Sequence, residues 1–322
     1  MHSTNLAKID LQSLHSLARE CLKNPAQIQD SCRLFHGRGQ CYPGLEFVCL
    51  DFFQPVLLIT LFAEPPNTWL AELIAELTPV AVKVGWTIVV QRRYLEGAPS
   101  EVVEGNMPER WLAARGPLRF LLNPLTQQNV GYFLDMEPGR QWLEAVAPGK
   151  RVLNLFAYTC AFSVVAVAAG AERVVNVDMS KKALAQGREN HHINGLDKQR
   201  SAFLPEQILK SWSRIRRQGP YDIVIFDPPS FQRGSFVASK DYAKLVRRLP
   251  ELMPEGGRVL ACLNAPELAT DFLLECFAEH CPTAQFVARL ASAPEFPDAN
   301  PEQRLKLLHF EFPRVNTDET LT

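Results

Sequence analysis

The sequence has no run of about 18 consecutive apolar residues, the length that a helix needs to cross a bilayer. It opens without the apolar core of a secretory signal, so we expect a cytoplasmic protein with no membrane partner. Its eight cysteines include no CxxC pair, which indicates free thiols in a reducing compartment. Cys276, His280 and Cys281 stand close together, but no second pair completes a tetrahedral ligand set, so no metal site is predicted.

The sequence also has no excess of either charge, because 34 Lys and Arg stand against 35 Asp and Glu, for a formal net charge of −1. Proteins that coat nucleic acid regardless of sequence need a strongly basic surface. The composition therefore argues against that class, although it allows a local basic groove. Apolar residues make up 47% of the chain, which is typical of a globular protein, and 322 residues are enough for two domains.

The first 117 residues show two kinds of pattern. Apolar residues recur at helical spacing over 5–23, which predicts an N-terminal helical segment within residues 1–30. Short β-rich runs around one helix predict a small α+β domain over 31–117, with a role in substrate recognition. Its expected elements are strands over 47–53, 56–62, 81–84 and 86–91 and a helix over 68–77.

Beyond residue 117, strands and helices alternate, which is typical of a largely parallel sheet. The expected strands are 151–156, 173–177, 201–204, 221–226 and 258–263, and the main helices are 180–194 and 239–252. Two further β-rich runs, 284–292 and 305–312, flank a Pro-rich loop and predict an antiparallel hairpin at the edge of the sheet. We therefore expect a Rossmann-like, seven-stranded α/β domain over 118–322.

In such a sheet, ligands bind beyond the carboxyl ends of the strands. Small residues in the loop after the first strand would let backbone amides approach a ligand. Asp178 follows the second strand, where a carboxylate accepts hydrogen bonds from a ribose diol, and the alternative is that it caps the next helix. Ser180 can cap that helix by itself, which would leave Asp178 free for the ribose.

Two more strand ends carry acceptors. Glu206 follows the third strand and is either an acceptor for an adenine amine or simply solvated. The fourth strand ends in Asp227-Pro228-Pro229-Ser230-Phe231, where two prolines fix the backbone so that the Asp227 carboxylate and the Pro228 carbonyl point together into the cleft. With the Phe231 ring as a stacking face, this set suits a flipped nucleobase whose amine must be held. An ordinary strand-exit turn would explain only the prolines.

These stretches resemble the bacterial large-subunit ribosomal RNA methyltransferase K/I family. The matching segments are Gly131-Tyr132-Phe133-Leu134-Asp135 with Arg140, Asn154-Leu155-Phe156-Ala157-Tyr158-Thr159, Val177-Asp178-Met179-Ser180, Asn190 with Asn194-Gly195-Leu196, residues 227–231 and, upstream, Leu34-Phe35-His36-Gly37-Arg38-Gly39 through Pro43-Gly44-Leu45. The resemblance implies a class I S-adenosylmethionine (SAM)-dependent methyltransferase fold. It implies SAM contacts from Phe133, Asp135, Arg140, Asn154, Phe156, Ala157, Tyr158, Thr159, Asp178, Met179, Ser180, Glu206 and Asp227. The catalytic roles fall to Asp227, Pro228 and Phe231.

The chain departs from the family pattern at two positions that bear on its chemistry. Cys160 stands where the family has glycine, and its side chain is expected to narrow the approach to SAM. Asn264 stands where the cytosine-C5 branch keeps a nucleophilic cysteine, whereas Cys262 falls within a strand as a small core residue. We therefore expect no covalent adduct with cytosine, and the Asn264-Ala265 stretch resembles the guanine-modifying branch.

The sequence thus predicts a SAM-dependent methyltransferase that acts on a base nitrogen of ribosomal RNA, with guanine as the expected base. One alternative is a small-molecule or protein methyltransferase on the same fold, and another is a non-catalytic SAM- or RNA-binding assembly factor. For an RNA substrate, the expected phosphate contacts are Arg92, Arg93, Arg115 and Arg119. The alternative for each of these basic clusters is a solvated surface.

Overall fold

The computed structural model describes residues 28–123, 129–232, 236–253 and 255–313. The helix expected over 5–23 lies outside these residues. The chain divides into two units, of which the first comprises Met1–Leu134 with Ala293–Asn300 and the second Asp135–Ser292 with Pro301–Thr322. The division expected between residues 117 and 118 falls inside the first unit.

The first unit contains one five-stranded sheet and one long helix. Its elements are β1 (Cys32–His36), β2 (Val48–Phe53), β3 (Val56–Leu61), α1 (Trp69–Val84), β4 (Thr87–Arg92) and β5 (Ser100–Glu104). The strands lie in the order β1-β2-β3-β4-β5, with β3 parallel to β4 and the other neighbours antiparallel. A separate hairpin pairs β6 (Leu112–Arg115) with β7 (Leu118–Leu121).

Helix α1 is longer than the sequence pattern predicted, and the strand expected over 81–84 is wrong because these residues form its last turn. The buried positions Trp69, Leu73, Leu77 and Ala81 recur every four residues, so the apolar stripe continues across Pro79. The helix ends at Gly85, whose φ of 71° is the left-handed conformation that glycine adopts at low cost.

The second unit contains the predicted seven-stranded sheet. Its strands are β8 (Arg151–Leu155), β9 (Arg173–Asp178), β10 (Ser201–Pro205), β11 (Ile223–Phe226), β14 (Arg258–Leu263), β15 (Gln285–Arg289) and β16 (Lys306–Glu311). They lie in the order β10-β9-β8-β11-β14-β16-β15. The first five are parallel, and β15 and β16 form the expected antiparallel hairpin at the edge. A two-residue pairing joins β12 (Phe231–Gln232) to β13 (Phe236–Val237).

Helices cover both faces of this sheet, as buried parallel strands require. They are α2 (Glu137–Val146), α3 (Ala161–Ala168), α4 (Lys181–Ile193), α5 (Trp212–Arg216), α6 (Ala238–Val246) and α7 (Thr270–His280). The strand order reverses between β8 and β11, so the crevice beyond their carboxyl ends is where an open α/β sheet binds its ligand. Within the described residues, no helix is long and apolar enough to cross a membrane.

Candidate active site

The loop from β8 to α3 is the most strained backbone at this edge of the sheet. Phe156, Tyr158 and Cys160, at every second position, have φ values of 59°, 45° and 63°. A residue other than glycine costs about 1–2 kcal/mol in the left-handed region, and such strain clusters at functional sites. The Ala157 amide donates to the Val177 carbonyl at 3.1 Å, which ties the loop to the end of β9.

Asp178 completes this attachment through its side chain. Its Oδ2 accepts a hydrogen bond from the Tyr158 amide at 2.9 Å, and its Oδ1 accepts one from the Ser180 amide at 2.8 Å. Ser180 caps α4 as predicted, with its Oγ accepting from the Ala183 amide at 3.1 Å. The expectation that this cap leaves Asp178 free for a ribose holds only in part, because the carboxylate also accepts hydrogen bonds from the strained loop and from Ser180. Each carboxylate oxygen has a further lone pair for a ligand.

Burial raises the pKa of Asp178 above its ordinary value, and the two amide hydrogen bonds work in the opposite direction. Asp178 is thus both an anchor for the loop and a half-buried acceptor at the surface of a pocket.

That pocket is a cavity of about 160 Å³ beyond the ends of β9 and β10. Four residues named from the sequence line it, namely Phe156, Asp178, Met179 and Glu206. Met179 is 44% exposed there, an apolar surface available to a ligand. The remaining wall was not predicted and consists of Gln207, Ile208, Leu209, Lys210, Gln232, Phe236, Asp241 and Lys244.

Glu206 is neither an isolated acceptor nor a simply solvated group. Its Oε2 accepts from the Ser211 hydroxyl at 2.9 Å, and its Oε1 accepts from the Arg214 guanidinium. The ion pair holds the carboxylate at the pocket wall, in an orientation set by α5 and the turn before it.

A second group of charges surrounds Asp227, directly after β11. Burial and the neighbouring Asp135 carboxylate raise the pKa of Asp227 to about 7, while Arg140 opposes the shift. Arg140 lies in α2 with only 2% of its side chain exposed, and its Nε donates to Glu137 Oε2 at 2.9 Å. Glu137 is thus paired with a buried guanidinium, while Asp135 and Arg140 both act on the Asp227 carboxyl group. Such a group of carboxyl side chains suits a positively charged ligand.

The rest of the Asp227 motif separates into buried and exposed parts. Pro228 is buried, and the Asp227 amide donates to the Leu155 carbonyl at 3.4 Å, which holds the motif next to the β8 loop. Phe231 is 66% exposed, at the start of the two-residue strand β12. The motif thus presents an open aromatic face close in sequence to a partly buried carboxyl group with a raised pKa.

Asn154 and Thr159 were named as cofactor contacts, but both side chains are buried in the core. The Asn154 amide donates to Asn176 Oδ1 at 3.0 Å, and the Asn176 amide donates to Ser163 Oγ at 2.9 Å. Ser163 lies 3.0 Å from His191 Nε2, whose ring contacts the Gly187 carbonyl through Nδ1 at 2.8 Å.

The direction of this chain follows from its last acceptor. A carbonyl only accepts, so Nδ1 of His191 carries the proton and Nε2 accepts from Ser163. Burial lowers the pKa of His191, which agrees with a neutral ring. The network fixes β8, β9, α3 and α4 beneath the strained loop and was not predicted, because its members are far apart in sequence.

Cys160 also differs from expectation. Its side chain is fully buried, and a Cβ added at Gly187 of α4 would lie only 2.4 Å from its Sγ. The sulfur occupies the place of the missing Gly187 side chain, and Cys160 is not among the residues that line the cavity. The prediction that this sulfur narrows the approach to a ligand is therefore wrong.

The Cys262 thiol lies where it cannot act as a nucleophile. Cys262 is fully buried in β14 opposite Leu307, and burial raises its pKa well above the ordinary value, so the thiol stays neutral. Asn264 is exposed just beyond the end of the same strand. Within the described residues, no group of three His, Cys, Asp or Glu side chains could hold a metal ion.

The remaining predicted residues belong to the first unit. Phe133 lies there with its ring half-exposed. Arg92 forms an ion pair with Glu101 at 3.1 Å, and Arg119 donates to the Gly116 carbonyl of its own turn at 2.6 Å. Arg93 is half-buried and Arg115 is partly exposed.

Comparisons with known proteins agree with this geometry. A family model described as S-adenosylmethionine-dependent methyltransferase matches residues 32–311. The Ribosomal RNA large subunit methyltransferase I of Erwinia tasmaniensis is 28% identical over 281 residues, which cover 83% of this chain and 70% of the relative. Its namesake from Klebsiella pneumoniae is 28% identical over 279 residues, with coverages of 83% and 70%. The crystal structure of SMU.776, described as a methyltransferase and complexed with SAH, has a TM-score of 0.77 at 25% identity and covers 92% of this chain and 79% of that one.

Proposed function

The chain belongs to the family of S-adenosylmethionine-dependent methyltransferases, and on that premise we propose that it methylates a base nitrogen of ribosomal RNA, with guanine as the favoured base. The curated relatives named above support ribosomal RNA as the substrate. The observation that carries the proposal is the Phe231 ring, which is 66% exposed and closes the motif that begins with the Asp227 carboxyl group. A flat, open aromatic face suits a base that is stacked on one side and held at its edge.

SAM supplies an already activated methyl group, so the protein mainly positions the reactants and excludes water. The residues of the pocket fit it. The unused lone pairs of Asp178 suit the ribose hydroxyls, and Met179 and Phe156 offer apolar surface for the adenine. The carboxylates of Asp135 and Asp227 suit the positive charges of the sulfonium and amino groups.

The side chain of Asp227 and the carbonyl of Pro228 would hold the exocyclic amine of the base. Methylation of an amine leaves one proton to be removed from the nitrogen. A carboxylate with a pKa of about 7 is matched to that task at neutral pH, since it is available as a base and readily accepts the proton. No cysteine is needed for this route.

We further propose that residues 31–117 recognise the substrate, that residues 118–322 carry out methyl transfer, and that the protein works in the cytoplasm. The strand-end residues described above, with the amides of Ala157 and Tyr158, form the cofactor side of the site. Asn154 and Thr159 act through the loop that they support.

The test is methyl transfer from isotopically labelled SAM to large-subunit ribosomal RNA from a deletion strain, followed by mass spectrometry of the nucleosides. We expect one labelled methylguanosine, lost in the Asp227→Asn variant and retained in Cys262→Ala. Label in cytosine, or label found only in protein or small molecules, contradicts the proposal. A wild-type protein that binds SAM but labels nothing favours the assembly-factor alternative.

A further inference from the structure

A second edge, in the first unit, also collects functional side chains. Strands β1, β3 and β4 run in the same direction, because β1 and β3 are both antiparallel to β2 and β4 is parallel to β3. Their carboxyl ends therefore meet at one edge of the five-stranded sheet. Arg38, Phe62 and Arg93 each follow the end of one of these strands.

The two arginines share one aromatic ring. The guanidinium carbon of Arg38 lies 4.2 Å from the centroid of the Phe62 ring, and that of Arg93 lies 5.3 Å from the same centroid. The chain holds this arrangement through its backbone, because the Phe62 amide donates to the Phe47 carbonyl at 2.7 Å and the Arg93 amide donates to the Leu61 carbonyl at 2.8 Å.

The turn that carries Arg38 is fixed by two glycines. A Cβ at Gly37 would lie 1.8 Å from the Leu45 carbonyl oxygen, and one at Gly39 would lie 1.8 Å from the Pro297 carbonyl oxygen. Both approaches are to backbone, which cannot move aside as a flexible side chain can. Only glycine therefore fits at these two positions, which flank the exposed Arg38 side chain.

Several positive charges meet at this edge, since Arg38 and Arg33 both act on the Arg93 guanidinium. The Asp51 carboxylate is already bound by Arg33 through two hydrogen bonds of 2.7 and 2.9 Å. Within the described part of the chain, neither Arg38 nor Arg93 has a carboxylate within ion-pair distance. Arg93 is half-buried, and its pKa is lowered by burial and by the positive charges of Arg38 and Arg33. Crowded cations of this kind are stabilised by an anion.

We infer that Arg38 and Arg93, supported by Phe62, form a binding site for the phosphate groups of an RNA strand. The inference rests on the proposed function for its choice of RNA. It differs from the sequence prediction, which paired Arg93 with Arg92, because Arg92 is already neutralised by Glu101. Guanidinium groups match phosphate oxygens with two parallel hydrogen bonds, and an aromatic ring holds each guanidinium plane in a fixed orientation.

The experiment compares Arg38→Gln/Arg93→Gln with Arg92→Gln. The probe is a fluorescent single-stranded RNA, and its binding is followed by fluorescence anisotropy. The KCl concentration is varied roughly tenfold, up to about 0.5 M, so that the release of counterions can be measured. Loss of two phosphate contacts should reduce the slope of log K against log salt by about 1.4, which corresponds to roughly 25-fold weaker binding at 0.1 M salt. The Arg92→Gln control should change binding far less. SAM affinity, measured by calorimetry, should be the same in all three proteins.

The single variant Arg38→Gln is a control for a folding defect in the double variant, because Arg38 is exposed. It should weaken RNA binding about fivefold. Equal effects of the double variant and Arg92→Gln, or an unchanged salt slope, overturn the inference. If the double variant behaves like the wild type while both methylate ribosomal RNA, only this inference fails. A wild-type protein that binds SAM but no RNA overturns the proposed substrate and this site together.

Discussion

The contact between Cys160 and Gly187 predicts that two substitutions, each unfavourable or neutral alone, are compatible together. A Cβ at position 187 would lie 2.4 Å from Cys160 Sγ and 3.0 Å from Cys160 Cβ. Rotation of the cysteine side chain could move the sulfur but not the Cβ. Gly187→Ala therefore overpacks a buried site in α4, at about 1–3 kcal/mol, against a gain of roughly 1 kcal/mol because alanine favours the helix.

Cys160→Gly has opposing effects of its own. Glycine relieves about 1–2 kcal/mol of left-handed strain at a φ of 63°. It also removes a fully buried side chain and raises the conformational entropy of the unfolded chain, for a cost of similar size. We expect the single variant to lie within about 1 kcal/mol of the wild type. SAM affinity should change little, because the sulfur faces α4 instead of the pocket.

In the double variant the new methyl group occupies the volume that the sulfur leaves. The clash disappears, the void is partly filled and the helix gains its alanine. We expect a coupling free energy of about 2–3 kcal/mol in favour of the pair, near the upper end for residues in contact. The double variant should be at least as stable as the wild type.

Hydrogen exchange followed by mass spectrometry in peptides from α3 and α4 measures this locally, without requiring the two units to unfold together. Gly149→Ala provides the matched control, since Gly149 has a φ of 69° but nothing within 4 Å of an added Cβ. Its effect should add to that of Cys160→Gly without coupling. A coupling between positions 160 and 187 below about 0.5 kcal/mol, the level of ordinary additivity, would refute the packing argument.

The remaining predictions concern the active site and its surroundings. Asp178→Ala should weaken SAM binding by about 1–3 kcal/mol, because it removes the ribose acceptor and the partner of the Tyr158 amide. An unchanged SAM affinity of the folded variant, measured by calorimetry, contradicts this prediction. Because Asp227 has a pKa of about 7, kcat/KM should fall about tenfold per pH unit below pH 7, and a profile that stays flat down to pH 5.5 excludes Asp227 as the base. The raised pKa also means that the native state binds more protons than the unfolded state between pH 3.8 and about 7. The contribution of Asp227 to the free energy of unfolding of the SAM-free protein therefore falls as pH rises through that window. In urea denaturation at several pH values, Asp227→Asn should remove this pH dependence. Phe231→Ala should weaken RNA binding by roughly 1–3 kcal/mol and leave SAM binding unchanged. Cys262→Ala should stay active, and no variant should trap a covalent adduct with RNA that contains fluorinated cytosine. A neutral Phe231→Ala together with an inactive Cys262→Ala or a trapped adduct excludes nitrogen methylation.

The architecture of the second unit could be predicted because its signals are local. Each parallel strand is a short apolar run followed by a helix, and the carboxyl ends of such strands necessarily share one edge. That is why Asp178, Glu206 and Asp227 could be named from their positions alone. The strand expected over 81–84 was wrong because the apolar stripe of α1 continues across Pro79 to these residues.

What could not be predicted depends on side-chain direction. The sequence marks Cys160 as unusual, but not that its sulfur faces α4; the one available signal was a glycine in mid-helix at 187. The pocket wall formed by Gln207, Lys210 and Lys244 has no sequence signature, since their convergence depends on how α5 and α6 pack. Strand β5 was missed because its exposed, charged sequence lacks clear alternation.

Because Ala293–Asn300 belongs to the first unit, that unit is completed only after residues 135–292 have been synthesised. The turn at Gly39 is completed by a segment that leaves the ribosome after most of the second unit, through the hydrogen bond from the Ala299 amide to the Gly39 carbonyl at 2.7 Å. At ordinary elongation rates that segment arrives about 10–30 s after residue 134. In a nascent chain, the first sheet therefore lacks the contact with Ala293–Asn300 while the parallel strands of the second unit are being synthesised. The turn that carries Arg38 gains this support only after residues 135–292 have been synthesised.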